Sequence, residues 1–204
     1  MTAPLPFTVH AALPCQPHAG FAASLAAELG AFDDPALERG LAALELPVAG
    51  LAALAHPVRA GALRVRDDGA LEDLLIDRVV TAGVGHEAVV AVVLCELGRR
   101  AGMPVGVVGA GARHLVGHEH VTPWLLDPAT GEVVDARRLA HEPEWRCGHQ
   151  VADMLLDEVE LRCERAGDLG RAIRAAEMRC ALPFDEEASE RATVRLRRLR
   201  ARLN

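Results

Sequence analysis

The feature that most constrains this chain is an unbroken apolar run, Ala88 to Cys95, between Gly85–His86–Glu87 and a polar exit through Glu96, Arg99 and Arg100 to Gly102 and Pro104. A segment with no polar position has no wet face, so it must be buried on all sides. Val89, Val90, Val92 and Val93 are β-branched, and the run alone would suit a buried strand. Length decides for a helix. The segment continues through Glu96 and Arg100, an i,i+4 pair, and stops at Gly102 and Pro104 with two arginines in its last turn. The expected helix is 87–101. His86 and Glu87 then stand at its N-terminus, where outward N–H groups favour negative charge.

The flanks divide by character. After the helix, strands are expected at 104–108, 113–116, 121–126 and 133–134. Turns at 109–111, 117–120 and 127–131 join them into an antiparallel sheet. Before the helix, residues 1–20 are Pro-punctuated and expected to be irregular. Short helices are expected at 21–29, 36–44 and 50–55, with Asp33 or Asp34 as a cap and Pro35 in the first turn. Asp67–Asp68–Gly69 is a turn signal, and 70–80 reads as an amphipathic helix with Leu71, Leu74 and Leu75 inward. Beyond Pro143 three helices are expected, at 151–165, 169–179 and 186–203. The expected class is α+β: a small antiparallel sheet packed on a central buried helix. Residues 1–84 form an N-terminal helical scaffold, 85–142 the core and 143–204 a helical appendage, together one compact unit.

Composition narrows the function. The chain has 204 residues, half of them hydrophobic, with only 3% aromatics and no Tyr. All 22 basic residues are Arg, a usage typical of high-GC bacterial genomes. An aliphatic chain with a net charge of −7 offers neither stacking platforms nor a basic footprint, so no nucleic-acid partner is expected. No apolar run approaches the ~18 residues of a membrane span, and the N-terminus lacks a signal-peptide pattern. Five scattered cysteines, with no C-x-x-C pair, fit reduced thiols in a cytoplasmic protein.

The order of features also resembles a family. A Gly two residues before a helix N-terminus, a buried helix ending in R-x-x-G-x-P, a His on the next strand and an Asp-Pro after it are similar to the transglutaminase-like core, with its papain-like arrangement. The resemblance is closest to a bacterial branch with helices before the core and tetratricopeptide-like helices after it. In that family a Cys at the helix start is the nucleophile, the strand His its base, and the Asp orients the His. Carried over from Gly102–Met103–Pro104, the Cys position falls on Glu87, the His on His114 and the Asp on Asp127. The resemblance therefore implies a cysteine-less triad.

Each candidate has a bland reading beside the functional one. His114 with Asp127 can be a base with its orienting carboxylate, or a structural hydrogen bond. Glu87 can be a general acid or base, or a helix cap. Cys95 lies eight residues past Glu87, about 12 Å along the axis, and reads as a small buried hydrophobe. Cys147, near Trp145 and His149, lies outside the matched core. His114, His118 and His120 give an H-x-x-x-H-x-H spacing that matches no zinc motif, so no metal and no cofactor is expected. Gly106 to Gly111 lacks a P-loop ending, and the Arg-rich tail, 195–202, reads as a solvated helix face. Two function classes remain. The first, favoured because the acid, the imidazole and the orienting carboxylate all fall at matched positions, is acid–base chemistry by Glu87, His114 and Asp127 on a small acyl or carbonyl compound. The other is a non-catalytic scaffold with a protein partner.

Overall fold

The computed structural model describes residues 4–15, 17–30, 32–45, 50–66, 68–120 and 123–203. In chain order, α1 is Phe7–Ala12, α2 His18–Leu29, α3 Asp34–Leu44, α4 Leu51–Leu54 and α5 His56–Arg59. Then come β1 Arg64–Val65, a 3-10 turn Leu71–Leu74, α6 Ile76–Ala82, β2 Val84–Gly85 and α7 Glu87–Arg100. The sheet follows: β3 Val105–Ala110, β4 Arg113–His118, β5 Trp124–Leu126, β6 Val133–Asp135 and, after a 3-10 turn at Ala136–Arg138, β7 Glu144–Trp145. The chain closes with α8 Gly148–Arg165, α9 Leu169–Cys180 and α10 Glu186–Ala201. It is α+β, as expected.

Helix α7 is the buried element, with every residue from Ala88 to Gly98 inaccessible or nearly so. Its β-branched residues are poor helix formers by a few tenths of a kcal/mol each. Burial of each valine is worth more, about 1.5–3 kcal/mol, so packing overrides propensity. The helix ends in a Schellman motif: Met103 N–H reaches Gly98 O at 2.9 Å and Gly102 N–H reaches Arg99 O at 3.0 Å. Gly102 supplies the left-handed φ of +76° that this motif requires. Glu96, buried in the last turn, accepts from Arg99 Nε at 2.7 Å and Arg100 Nε at 2.9 Å, which satisfies a charge otherwise costly to bury.

The five-stranded sheet is antiparallel, in the order β6-β5-β4-β3-β7. Its strand alternation separates two cores. Val107, Val116 and Leu126 join the main cluster with α7, while Val108, Ala110, Leu115 and Leu125 form a smaller cluster beneath Leu139. The main cluster runs without interruption from Phe7 to Leu199, so all three expected parts of the chain share it.

Several elements differ from expectation. Residues 1–20 are not irregular throughout: α1 forms, and α2 begins at His18 rather than Phe21. Phe7 and Phe21, both buried, pack edge to face at 5.8 Å and hold this helical pair. The 70–80 helix is broken at Leu75, whose backbone is extended. The β3–β4 turn lies at Gly111–Ala112, so both strands are longer than expected. The β1–β2 pair is parallel, and it and β7 were unexpected, because two-residue strands leave no periodicity to read. Asp67 of the expected 67–69 turn, and residues 121 and 122 of the expected third strand, lie outside the described residues.

Candidate functional site

The N-terminus of α7 sets Glu87 against the start of β4. Its Oε1 accepts from Arg113 Nε at 2.9 Å and its Oε2 from the His114 backbone N–H at 3.0 Å. His114 Nδ1 lies 3.5 Å from the same Oε2. That is an ion-pair separation without hydrogen-bond geometry, since Nδ1 is buried and has no hydrogen-bond partner. The other ring nitrogen, Nε2, meets the Met154 thioether on α8. His86 caps the helix, its Nδ1 accepting from Ala88 N–H at 3.3 Å, with its ring 6.1 Å from that of His114.

Asp127 does not orient His114. Its Oδ1 accepts from Arg113 Nη2 at 2.8 Å and from Ala129 N–H at 2.8 Å, and neither ring nitrogen of His114 bonds to it. Strand parity explains this. The β4–β5 ladder pairs Val116 with Leu126, so its continuation sets Asp127 opposite Leu115. Leu115 faces the smaller, outer core, and Arg113 shares its parity, whereas His114 shares that of Val116 and faces α7. The carboxylate is therefore on the side of the arginine.

Arg113 is the residue that sequence reasoning missed. It bridges Glu87 and Asp127, and both carboxylates raise its pKa further, Glu87 first. Burial pushes the Glu87 carboxyl up, but the adjacent His114 ring, the Arg113 guanidinium and the His114 backbone N–H together outweigh it and hold the group below the usual carboxylate range. Glu87 is thus ionised at neutral pH, with both oxygens already accepting. The available signal was the position of Arg113, the residue just before His114 on a strand facing two acids. Met154 carried no such signal, because it reads as ordinary helix core.

A cavity of about 440 Å³ adjoins His114, lined also by Gly109, Arg146, Gln150, Met154 and Phe184. Glu87 is not on its wall. Cys95 is buried within α7 and burial pushes its thiol far up, so it is not an activated thiolate. His118 and His120 pack ring to ring at 5.7 Å, and His120 N–H donates to His118 Nδ1 at 3.1 Å. Among the described residues, three metal-ligand side chains converge only at Cys15, Cys147 and His149.

No helix of the described residues is long and apolar enough to cross a membrane. No curated protein and no solved structure matches the chain. The span from β1 to the last turns of α8, which carries Glu87, His114 and Asp127 and extends past both ends of the expected 85–142 core, does find a counterpart: residues 65–161 match the family model of the transglutaminase-like superfamily.

Proposed function

We propose that the transglutaminase-like segment is a non-catalytic module whose former triad positions have become a clasp between α7 and the β3–β4 hairpin. One observation carries this reading: the Arg113 guanidinium occupies both Glu87 and Asp127. A base needs a free lone pair and a partner aimed at the proton it takes. Each Glu87 oxygen already accepts a bond, and His114 has Met154 on one nitrogen while the other lies 3.5 Å from Glu87 Oε2 without a hydrogen bond. With Glu87 in the nucleophile position, thioester chemistry has no sulfur to use. The module would serve a cytoplasmic protein partner through its surface. Trp124 and Trp145, the chain's two tryptophans, are both exposed, and aromatic residues of this kind are favoured at interfaces. We read α8–α10, joined by short turns at 166–168 and 181–185, as the tetratricopeptide-like appendage of the bacterial branch.

A second reading is supported by the 440 Å³ cavity at His114. A small acyl or carbonyl compound seated there would meet an imidazole with a carboxylate 3.5 Å behind it, an arrangement suited to acid–base chemistry.

The experiment that separates the two is a panel of small esters, amides and thioesters assayed with the wild-type chain, Glu87→Gln and His114→Ala. The clasp reading expects no turnover by any of them and a loss of stability in Glu87→Gln. Turnover by the wild type that either substitution abolishes, with the fold intact by circular dichroism, would refute it in favour of acid–base catalysis.

A further inference from the structure

The N-terminal segment crosses the start of α8, and among the contacts that hold it there are three hydrogen bonds. Gly148 N–H donates to Cys15 Sγ at 3.1 Å, His18 Nε2 donates to Arg146 O at 2.8 Å, and His149 Nε2 donates to Ala11 O at 3.2 Å. The first of these joins residues 133 positions apart. Cys147 is the N-cap of α8, and its side chain accepts the backbone N–H of Gln150. As a result, one donor atom from each of Cys15, Cys147 and His149 lies within 4.8 Å of the other two.

We propose that Cys15, Cys147 and His149 form a site for a thiophilic, tetrahedral metal ion of the Zn²⁺ class, with the fourth position open to water or an external ligand. Zn–S bonds of about 2.3 Å and Zn–N bonds of about 2.0 Å put tetrahedral donors roughly 3.5–4 Å apart. The present donors, all within 4.8 Å of one another, stand close to that spacing. Two thiolates and an imidazole select such an ion over Mg²⁺ or Ca²⁺, which prefer oxygen.

The outer contacts are of the kind that metal sites use. A backbone N–H already points at each sulfur, and such donors stabilise a thiolate. A carbonyl can only accept, so the contact to Ala11 O puts the proton on His149 Nε2 and leaves Nδ1 as the ligand nitrogen. Phe21 stands edge-on to this ring at 4.9 Å and limits its rotation. On coordination each thiol releases its proton to solvent, so two thiolates neutralise the divalent ion. The ion would tie the segment before α2 to the first turn of α8. This departs from the expectation of no metal, which rested on histidine spacing along the chain. It is independent of the clasp reading, since neither Glu87 nor His114 takes part.

The test is Co²⁺ titration of the full, untagged, reduced chain after chelator treatment, in the absence of air. The expected result is a thiolate-to-cobalt charge-transfer band with tetrahedral d–d bands, saturating at about one ion per chain and displaced by Zn²⁺. Cys15→Ser and Cys147→Ser should each abolish the charge-transfer band, and His149→Ala should weaken binding. Cys180→Ser, which removes an exposed cysteine elsewhere, should change nothing. Serine is itself a good N-cap, so Cys147→Ser keeps α8 intact. As a second readout, Zn²⁺ should protect Cys15 and Cys147 from alkylation in the wild type while Cys180 still reacts. Absence of the band, its survival in Cys15→Ser or Cys147→Ser, or unprotected thiols at saturating Zn²⁺ would each overturn the proposal.

Discussion

Replacing Glu87 with Gln tests the clasp through stability. Gln keeps the shape and one oxygen acceptor, so either the His114 N–H or Arg113 retains its bond and the other loses it. A hydrogen bond to a charged group contributes about 1.5–3 kcal/mol. Arg113 is nearly half exposed, its side chain at 47%, so solvent screens its part. The expected loss is therefore about 1–2 kcal/mol, a fall of about 0.5–1 M in the urea midpoint at an m-value near 2 kcal/mol/M. The pH dependence has a definite sign. The folded Glu87 carboxyl titrates below its ordinary value of 4.5, so its contribution is fully present above that value and is lost as pH falls through the folded pKa. The wild type and Glu87→Gln should differ by a constant amount from pH 6 to 8 and converge in acid. A double-mutant cycle with Arg113→Met should show coupling of about 1 kcal/mol. Equal midpoints at pH 7, or a gap that widens in acid, would refute the reasoning.

Three further outcomes are expected. Gly83 has φ +66°, and an added Cβ would lie 2.6 Å from the Ala62 carbonyl oxygen; Gly83→Ala should lose about 2 kcal/mol or more by denaturant unfolding. Leu94, fully buried in α7, should cost about 2–5 kcal/mol on truncation to Ala, read by calorimetry or urea titration. Burial raises the Cys95 thiol and pushes Cys163 up to about 11. In metal-free native protein an alkylator should therefore label Cys15, Cys147 and Cys180, the exposed thiols, and reach Cys95 and Cys163 only after unfolding, as counted by mass spectrometry.

Local pattern and its physics decided a good deal on their own. The Ala88–Cys95 run could only be buried, and Gly102 with Pro104 could only end it. The three C-terminal helices were legible because each repeats apolar residues over several turns, and the place of Glu87 at the start of the buried helix was legible from spacing. Tertiary structure decided the rest. Whether an acid serves catalysis or a clasp depends on which side of a sheet its neighbour faces. One step of strand parity put Asp127 with Arg113 rather than His114. The β1–β2 and β7 pairings rest on hydrogen bonds between distant segments, which no local period records. Cys15 meets Cys147 and His149 only because Phe7 and Phe21 fold the N-terminal helices onto the core, carrying a thiol across the chain to the start of α8.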